Sequence, residues 1–348
     1  PPLQLVYCGT NHFSADGSFR PAPKPRPIHV LQRGDIRHPG PLVQPGALTC
    51  VPGLEAHFRL PQPDDEGNRR VALARWLVDS RNGLTWRSIA NRVWQYHFGR
   101  GLVDTPNDFG RMGWPPTHPE LLDWLAVTLQ QNGGSLKALH RLIVTSAVYR
   151  QASAYRPAYA AVDADNRFLW RMNRQRLDAE AIHDAVLQFA GRLDRRMGGP
   201  SDRPFIMKPG IHVTPNVNYR DFDPDAPANH RRSVYRFLFR TLPDPFMDAF
   251  DCPDGSQVAP VRTASVTALQ ALALLHDRFL VRQCEHIAEH ITQQTSHPAK
   301  QIAVLYRLLL NRRPTTRETQ LVGDYARRHG LANTCRMLLN SNEFMFID

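Results

Sequence analysis

Apolar side chains recur at helical spacing along most of the chain after residue 69, and the stretch from Trp86 to Gly101 shows this pattern most clearly. Its apolar positions follow the spacing i, i+3, i+4, i+7, i+8 and i+11, which predicts one buried face of a helix. The residues on this face are Trp86, Ile89, Ala90, Val93, Trp94 and His97. A buried imidazole needs a partner for each ring nitrogen, and an unpaired nitrogen costs about 1–3 kcal/mol. We therefore expect a specific partner for His97, which is another side chain, a metal ion or a cofactor.

The same periodicity predicts helices on both sides of this stretch. Thr117 and Glu120 have the spacing of a capping box at the start of a leucine-rich helix that stops at Asn132, and Ser135 can cap the helix after it. The other predicted helices span residues 69–79, 178–193, two segments between 267 and 291, and residues 299–311, 315–329 and 331–340. Two β-prone segments predict strands, at residues 28–31 and 233–240.

These elements predict a mainly α, multi-helix globular domain with a few short β-strands and long irregular connections. Residues 1–68 are rich in proline, so they predict an extended N-terminal arm that contains the first short strand. The helical domain is expected over residues 69–348. Within it, residues 194–232 are rich in Pro, Gly, Asp and Arg and predict either an insertion or a long loop.

The composition shows that the chain is strongly basic. The 348-residue chain has a formal net charge of +11, and arginine supplies nearly all of it because only four of the 43 basic residues are lysine. Arginine suits anionic partners such as carboxylate, sulfate or phosphate groups. No Lys/Arg run and no alternation of aromatic and basic residues is present, so nucleic acid is not an expected partner. No apolar run approaches the ~18 residues that a transmembrane segment needs.

Several catalytic and cofactor motifs are missing. The five cysteines lie far apart without a CxxC or CxxCH pattern, which excludes a zinc ribbon and a covalently attached c-type haem within this chain. Whether Cys8 and Cys50 pair stays open, since both lie in loop-like sequence. GxSxG, P-loop and GxGxxG patterns are also absent, so serine-hydrolase and nucleotide-binding functions have no support.

Two groups of polar residues are candidates for a functional site. His97, His118 and His140 each lie on or beside the apolar stripe of a predicted helix. They can converge on a metal ion or a non-covalent haem, act in acid–base catalysis or contact a substrate, or each can hydrogen-bond a neighbour and only fix helix packing. The second group lies on the Trp86 helix and in the loop after it, where it can line an anion or sugar site or form a salt-bridge network. Its members are Asn91, Arg92, Asp104, Asp108 and Arg111.

A third candidate is the HxxEH pattern formed by His286, Glu289 and His290. Two histidines at i and i+4 can bind one zinc ion, and the glutamate can act as a general base. The two histidines flank the apolar stripe of their helix, as residues on a solvated face do, and no third ligand follows at helical spacing. The pattern therefore supports a metal-dependent hydrolase only weakly.

Several ordered phrases together resemble a known family. They include NRVWQYHFGRGLVDTPNDFG at 91–110, PPTHPELLDWLA at 115–126, SLKALHRLIVTSAVYRQ at 135–151, RLDAEAIHDAV at 176–186 and RRSVYRFLFRTLPDPFMDAFDCPD at 231–254. The chain resembles the planctomycete-specific C-terminal domain of unknown function that is commonly found downstream of a cytochrome c module. His97, His118 and His140 fall inside the motifs that carry the resemblance, and the HxxEH pattern does not.

The resemblance implies an extracytoplasmic protein, periplasmic or secreted, that works with a c-type cytochrome module upstream or in a partner chain. The chain starts without methionine, so we expect its natural N-terminus upstream of residue 1. The first hypothesis is an accessory of a cytochrome c-linked redox or polysaccharide-processing system. The second is a non-catalytic binding or scaffold module for anionic glycans or a protein partner, and the third is the metal-dependent hydrolase. The cofactor stays unknown at this stage.

Overall fold

The computed structural model describes residues 24–210, 215–255 and 257–347, and the single positions 15, 18 and 22. The chain divides into two compact units, with the boundary between Tyr149 and Arg150. The arm predicted for residues 1–68 and the helical domain predicted for residues 69–348 stay predictions. Cys8 lies outside the described residues, so its pairing with Cys50 stays open as well.

In the part of the first unit that the structure describes, four α-helices form most of the regular structure. A small antiparallel sheet of β1 (His29–Leu31) and β2 (Pro39–Leu42) comes first, so the strand predicted near residues 28–31 is confirmed. The helices follow as α1 (Glu66–Val78), α2 (Gly83–Phe98), α3 (Pro119–Gln131) and α4 (Leu136–Thr145).

Local capping sets the ends of these helices. The buried Asn82 side chain accepts a hydrogen bond from Thr85 N and begins α2, and Gly99 ends it in the left-handed conformation at φ 76°. A residue with a Cβ atom pays a steric penalty at that φ, which explains the glycine. Ser135 caps α4 as predicted. The core of this unit is formed by side chains of α2, α3 and α4: Ala90, Val93, Trp94, Phe98, Leu122, Leu125, Leu129, Leu139 and Ile143.

Within its described residues, the second unit contains all the remaining α-helices and two small antiparallel sheets. The helices are α5 (Pro157–Ala160), α6 (Ala179–Phe189), α7 (Pro245–Ala249), α8 (Ala268–His276), α9 (Arg278–Gln294), α10 (Pro298–Leu310), α11 (Thr316–His329), α12 (Leu331–Leu339) and α13 (Asn342–Met345). Strand β3 (Gln175–Arg176) pairs with β6 (Phe346–Ile347), and β4 (Ile206–Lys208) pairs with β5 (Asn216–Asn218).

Helix α9 runs through the core of the second unit. Its apolar stripe includes Leu280, Cys284, Ile287 and Ile291, each at most 2% exposed. Helices α6, α8, α10 and α12 pack against it, and Leu305 and Cys335 are fully buried there. The helical spacing of apolar residues in the sequence thus identifies this core correctly.

The mainly α prediction is confirmed, with short strands and long connections. Over the described part of residues 194–232, the chain forms one strand pair and a short 3-10 helix at Pro227–Asn229 but no α-helix. None of the helices in the described ranges combines the length and apolar character needed to cross a lipid bilayer.

Three local predictions were wrong. Residues 233–240 do not form a strand: Ser233–Tyr235 is a 3-10 helix, because polar contacts of this segment with α6 fix its backbone. Thr117 does not cap α3. The N-cap is His118, without a side-chain capping bond. On α2 the buried face is rotated from the predicted one, so that Asn91 is fully buried whereas His97 is only partly buried.

Candidate functional site

Two of the three candidate histidines meet in the first unit. His97 on α2 and His140 on α4 approach with 2.7 Å between Nε2 and Nδ1, and the ring of Tyr149 packs edge-on against His97. One of the two nitrogens donates and the other accepts, so at least one ring is neutral in this pair. Burial, followed by the charge of His140, lowers the pKa of His97. His97 is therefore neutral, and its hydrogen bond with His140 links α2 to α4.

His118 has a different position, at the N-cap of α3. Its Nδ1 lies 3.0 Å from the hydroxyl oxygen of Thr117. Among the described residues, no group of three or more His, Cys, Asp or Glu side chains has an arrangement that could hold a metal ion. The geometry thus offers no support for a metal or haem bound by His97, His118 and His140.

Asn91 holds the loop after α2. Its side chain is fully buried, its Nδ2 donates to Val103 O at 3.0 Å, and its Oδ1 accepts from Val103 N at 2.8 Å. Gly101 lies so close that a Cβ atom there would be 2.6 Å from Val103 O. Asn91 is therefore a positioning residue for the loop, because both ends of its amide are occupied by main-chain groups.

Arg92 and Asp104 are both paired within the first unit. Arg92 donates from Nη2 to Asn107 Oδ1 at 2.7 Å, and Asp104 forms an ion pair with Arg100. Arg92 thereby attaches the loop at Asn107 to α2. Asp104 therefore matches the salt-bridge alternative, whereas Arg92 binds a neutral amide.

The loop around Asp108 is tightly constrained. Thr105 Oγ1 donates to the Asp108 carbonyl at 2.8 Å, and Gly110 N donates to the Asp108 carboxylate at 2.8 Å. A Cβ atom at Gly113 would lie 2.1 Å from the Asp108 carbonyl oxygen, so only glycine allows this close approach. The main chain of the loop is therefore fixed.

This loop forms one wall of a cleft in the first unit, which we call the arginine cleft. Its volume is about 1260 Å³. The other walls come from residues 48–52, from the first half of α2 and from α3. The side chains that matter for ligand chemistry are Arg81, Trp86, Arg87, Asp108, Phe109, Arg111 and Asp123. The structure thus places Asp108 and Arg111 in the cleft, and it assigns Asn91, Asp104 and the histidine pair to other surroundings.

Two of the three cleft arginines are ion-paired. Arg81 bonds Asp79 at 2.9 Å, and Arg87 on α2 pairs with Asp123 on α3. Arg111 makes no hydrogen bond or ion pair with any residue that the structure describes. Sequence reasoning missed Arg81, Arg87 and Asp123. One signal was available for Arg87: it lies four residues before the candidate Asn91, so both residues lie on neighbouring turns of the same helix.

The HxxEH histidines have separate surroundings in the second unit. His286 Nε2 lies 2.7 Å from Asp225 Oδ1 and 2.6 Å from Arg192 Nη1, and its Nδ1 lies 3.3 Å from Glu289. His290 instead approaches the side-chain amide of Gln294 at 2.8 Å. The zinc hypothesis stays a prediction, although these contacts describe a charged network around His286 rather than a shared ligand position.

Asp225 is the anionic centre of that network. Burial raises its pKa, but hydrogen bonds from His286 and Arg282 outweigh burial and lower the pKa to about 2. The carboxylate is thus charged at any physiological pH. It holds the loop before residue 230 against α9 through these two side chains.

A second buried polar network, which sequence reasoning also missed, is centred on His183 of α6. Arg236 Nη1 donates to His183 Nε2 at 2.9 Å, so the ring proton lies on Nδ1 and is donated to Ser233 Oγ at 3.0 Å. Arg236 also pairs with Asp244. Burial, reinforced by the Arg236 charge, lowers the pKa of His183 to about 4. The imidazole is therefore a neutral structural link.

Comparison with known proteins gives a family but no activity. Residues 69–326 match the model of PSD1, described as a protein of unknown function (DUF1553). No curated protein and no solved structure matches the chain. Because the match covers most of the chain and includes α2, α3 and the loop of the arginine cleft, the chain belongs to the DUF1553 family of proteins of unknown function.

Proposed function

We propose that the first unit is a binding module whose arginine cleft holds a sugar that carries a carboxylate or sulfate group. Guanidinium groups bind such anions through two parallel hydrogen bonds, and arginine is better suited to this geometry than lysine. Trp86 and Phe109 supply aromatic surface in the same cleft, against which the apolar face of a sugar ring can pack. The combination of apolar walls and a few fixed polar groups is typical of a ligand site.

The observation that carries this proposal is the unpaired guanidinium of Arg111. Its loop is fixed by the contacts of Asp108 and Gly113, so Arg111 extends from a rigid support. Arg81 and Arg87 are ion-paired with Asp79 and Asp123, whereas Arg111 is the cleft arginine without a hydrogen-bond acceptor among the described residues. Because the main chain of this loop is already fixed, binding of an anion has to order only the side chain of Arg111.

The test uses isothermal titration calorimetry of the whole chain with galacturonate trisaccharide, a sulfated disaccharide and the neutral maltotriose. We expect an anionic sugar to bind and the neutral one to bind at least tenfold more weakly. Arg111→Gln should weaken binding of the anionic sugar about tenfold or more, in line with the ~1.5–3 kcal/mol that a hydrogen bond to a charged group contributes. Raising the salt concentration should weaken binding further, because the cleft is open to solvent.

The matched control is Arg75→Gln. Arg75 lies on α1, is exposed, and carries the same charge change without lining the cleft. Equal weakening by both variants would refute a specific role for Arg111. Equal affinity for neutral and anionic sugars would refute the proposal itself.

The remaining parts of the first hypothesis rest on the family resemblance alone. They are the association with a c-type cytochrome, the planctomycete origin and the extracytoplasmic location. A binding module for anionic glycans is compatible with an accessory role in a polysaccharide-processing system. A direct check is co-purification of the native protein with its membrane or soluble partners, followed by a haem stain of the complex.

A further inference from the structure

Aromatic and arginine side chains meet on an exposed surface of the second unit. The indole of Trp170 contacts the rings of Tyr155 and Tyr159, with centroids 6.2 Å and 5.9 Å apart. Tyr155 is 69% exposed and Tyr159 is 49% exposed. Large aromatic side chains that stay exposed together mark binding surfaces more often than isolated ones do. We call this group, Tyr155, Tyr159 and Trp170, the aromatic platform.

Positive charge surrounds the aromatic platform. The guanidinium carbon of Arg156 lies 5.6 Å from the ring centre of Tyr159, and that of Arg171 lies 5.2 Å from the ring centre of Trp170. Residues 150–176 contain six arginines and only two acidic residues, and one of the arginines, Arg176, is buried and ion-paired with Asp251. Among the described residues, Arg156 has no carboxylate partner. Arg156 therefore has free cationic donors beside the ring of Tyr159.

One of the two acidic residues is used to build the surface. The carboxylate of Asp163 accepts hydrogen bonds from the main-chain nitrogens of Arg167 and Phe168, both at 2.9 Å. Its carbonyl oxygen accepts from the indole nitrogen of Trp170 at 2.9 Å. Asp163 thus fixes the indole ring and the main chain of this loop.

The loop that carries Trp170 is held in an unusual backbone conformation. Asn166 and Leu169 have positive φ angles, 52° and 54°, which residues other than glycine seldom adopt. Asn166 is 2% exposed, and its Nδ2 donates to Arg171 O at 2.8 Å and to Asn173 Oδ1 at 2.9 Å. Such conformations persist only where the surroundings enforce them, and they concentrate at functional sites. The platform is therefore preorganised.

We propose that the aromatic platform binds an anionic polysaccharide, a chain of pyranose rings that carry carboxylate or sulfate groups. The C–H faces of the sugar rings pack on Tyr159 and Trp170, because the faces of aromatic rings are electronegative. The acidic groups of the sugar bind the guanidinium of Arg156, which lies beside the ring of Tyr159. This site lies in the second unit and goes beyond the proposed function, which concerns the arginine cleft of the first unit.

Ring geometry favours a polysaccharide over single-stranded nucleic acid. The planes of Tyr155 and Tyr159 are inclined to that of Trp170 by 66° and 55°. Successive bases stack on aromatic faces along a strand, so a platform for them offers rings side by side. Inclined rings instead form a curved surface, which fits the non-planar outline of a pyranose chain.

The experiment measures binding of the whole chain to polygalacturonate by affinity electrophoresis and calorimetry, with dextran as the neutral polymer and oligo(dT) as the nucleic acid. Each measurement is repeated in an Arg111→Gln background, so that the arginine cleft does not contribute. Tyr159→Ala should weaken polygalacturonate binding about threefold to tenfold, and the double variant Tyr155→Ala/Tyr159→Ala more. Arg156→Gln should weaken it severalfold and reduce its salt dependence.

Two matched controls separate the loss of a platform side chain from the loss of any exposed tyrosine or arginine. Tyr96→Ala removes a tyrosine that is 63% exposed on α2, and Arg317→Gln removes an exposed arginine on α11. Neither should change the affinity for polygalacturonate, and circular dichroism should show all variants folded. Undiminished binding by Tyr159→Ala, equal losses in the controls, equal affinity for dextran, or tighter binding of oligo(dT) would each overturn the inference.

Discussion

Replacing His183 with glutamine tests the buried network of the second unit through the dependence of its stability on pH. In the folded protein the imidazole is neutral, since Arg236 donates to Nε2 and Ser233 accepts from Nδ1. Its ring is stacked on Phe279 with centroids 4.3 Å apart. Adding a proton at Nε2 places a second donor against the guanidinium, so the folded state resists protonation.

The sign and size of the effect follow from the two pKa values. The folded-state pKa of His183 is lowered to about 4 from the ordinary 6.5, so between these values the unfolded chain binds more protons than the folded one. Stability therefore rises with pH through this window and is lost as pH falls from about 6.5 to about 4. The loss corresponds to roughly 3 kcal/mol for a fully buried group.

Neighbouring carboxyl groups also titrate as the pH falls, but they are present in both proteins. The pKa of Asp184 is lowered, because hydrogen bonds from His183 and Ser233 outweigh the raising effect of burial. Burial raises the pKa of Asp277, which lies near Asp244. Asp184 and Asp277 therefore change the pH dependence of stability in opposite directions. Because both residues are present in wild type and in His183→Gln, most of their contribution cancels when the two proteins are compared.

The assay is urea unfolding at pH 7.0, 5.5 and 4.0, followed by circular dichroism, with hydrogen exchange over α6 to report on the second unit. At pH 7 the variant should be less stable by about 1–3 kcal/mol, because a glutamine amide cannot satisfy both Ser233 and Arg236 equally well. Between pH 7 and pH 4 the wild type should lose roughly 3 kcal/mol more than the variant. His297→Gln, at an exposed position, is the control. An unchanged pH slope in His183→Gln would refute the reasoning.

Three further substitutions have defined outcomes. Asn91→Ala should lower the free energy of unfolding of the first unit by about 2–4 kcal/mol in urea titrations, because it leaves both main-chain groups of Val103 buried without a partner. Gly113→Ala should destabilise that unit by about 1–3 kcal/mol and weaken anion binding, since its Cβ atom would overlap the Asp108 carbonyl; unchanged calorimetry would contradict this. Thr315→Ala should cost about 1 kcal/mol in thermal unfolding by removing the capping box of α11, and a cost near zero would show that tertiary packing alone holds that helix end.

The helices could be predicted from the sequence because each buries one regular stripe. On α9, for example, Leu280, Cys284 and Ile287 recur at helical spacing and are all buried. The end of α6 was predicted four residues too late, since the helix stops at Phe189 although apolar residues continue. Apolar spacing reports which face is buried, but it does not report where the main chain turns away.

The strand predicted at residues 233–240 failed for a tertiary reason. Its residues favour strands, yet Ser233 N donates to Asp184, and the side chains of Ser233 and Arg236 reach His183. Contacts with a residue fifty positions away leave no trace in local propensity. The same limit applies to α2. Its buried face includes Asn91, which lies next to the predicted apolar stripe, and the spacing of apolar residues could not predict that an asparagine would be buried.

The candidate site was predictable only in part. The sequence identified the loop with Asp108 and Arg111 and suggested a meeting of His97 and His140, but it did not reveal the cleft that Asp108 and Arg111 line. The walls of a cleft come from segments far apart in sequence, as Cys50, Arg87 and Asp123 are here. The aromatic platform is different, because Tyr155, Arg156, Tyr159, Trp170 and Arg171 lie within 17 residues of one another and sequence reasoning overlooked this cluster.

The side chain of Asn91 completes main-chain hydrogen bonding where no regular element exists. Its amide replaces the partner strand that Val103 would have in a sheet, although Val103 belongs to a loop. The amide hydrogen of Val103 should therefore exchange with deuterium as slowly as those of the surrounding helices, and its exchange rate would report the opening of α2 itself. The loop of the arginine cleft then shares the cooperative unfolding of the helical core, so heating should release a bound sugar only when that core melts.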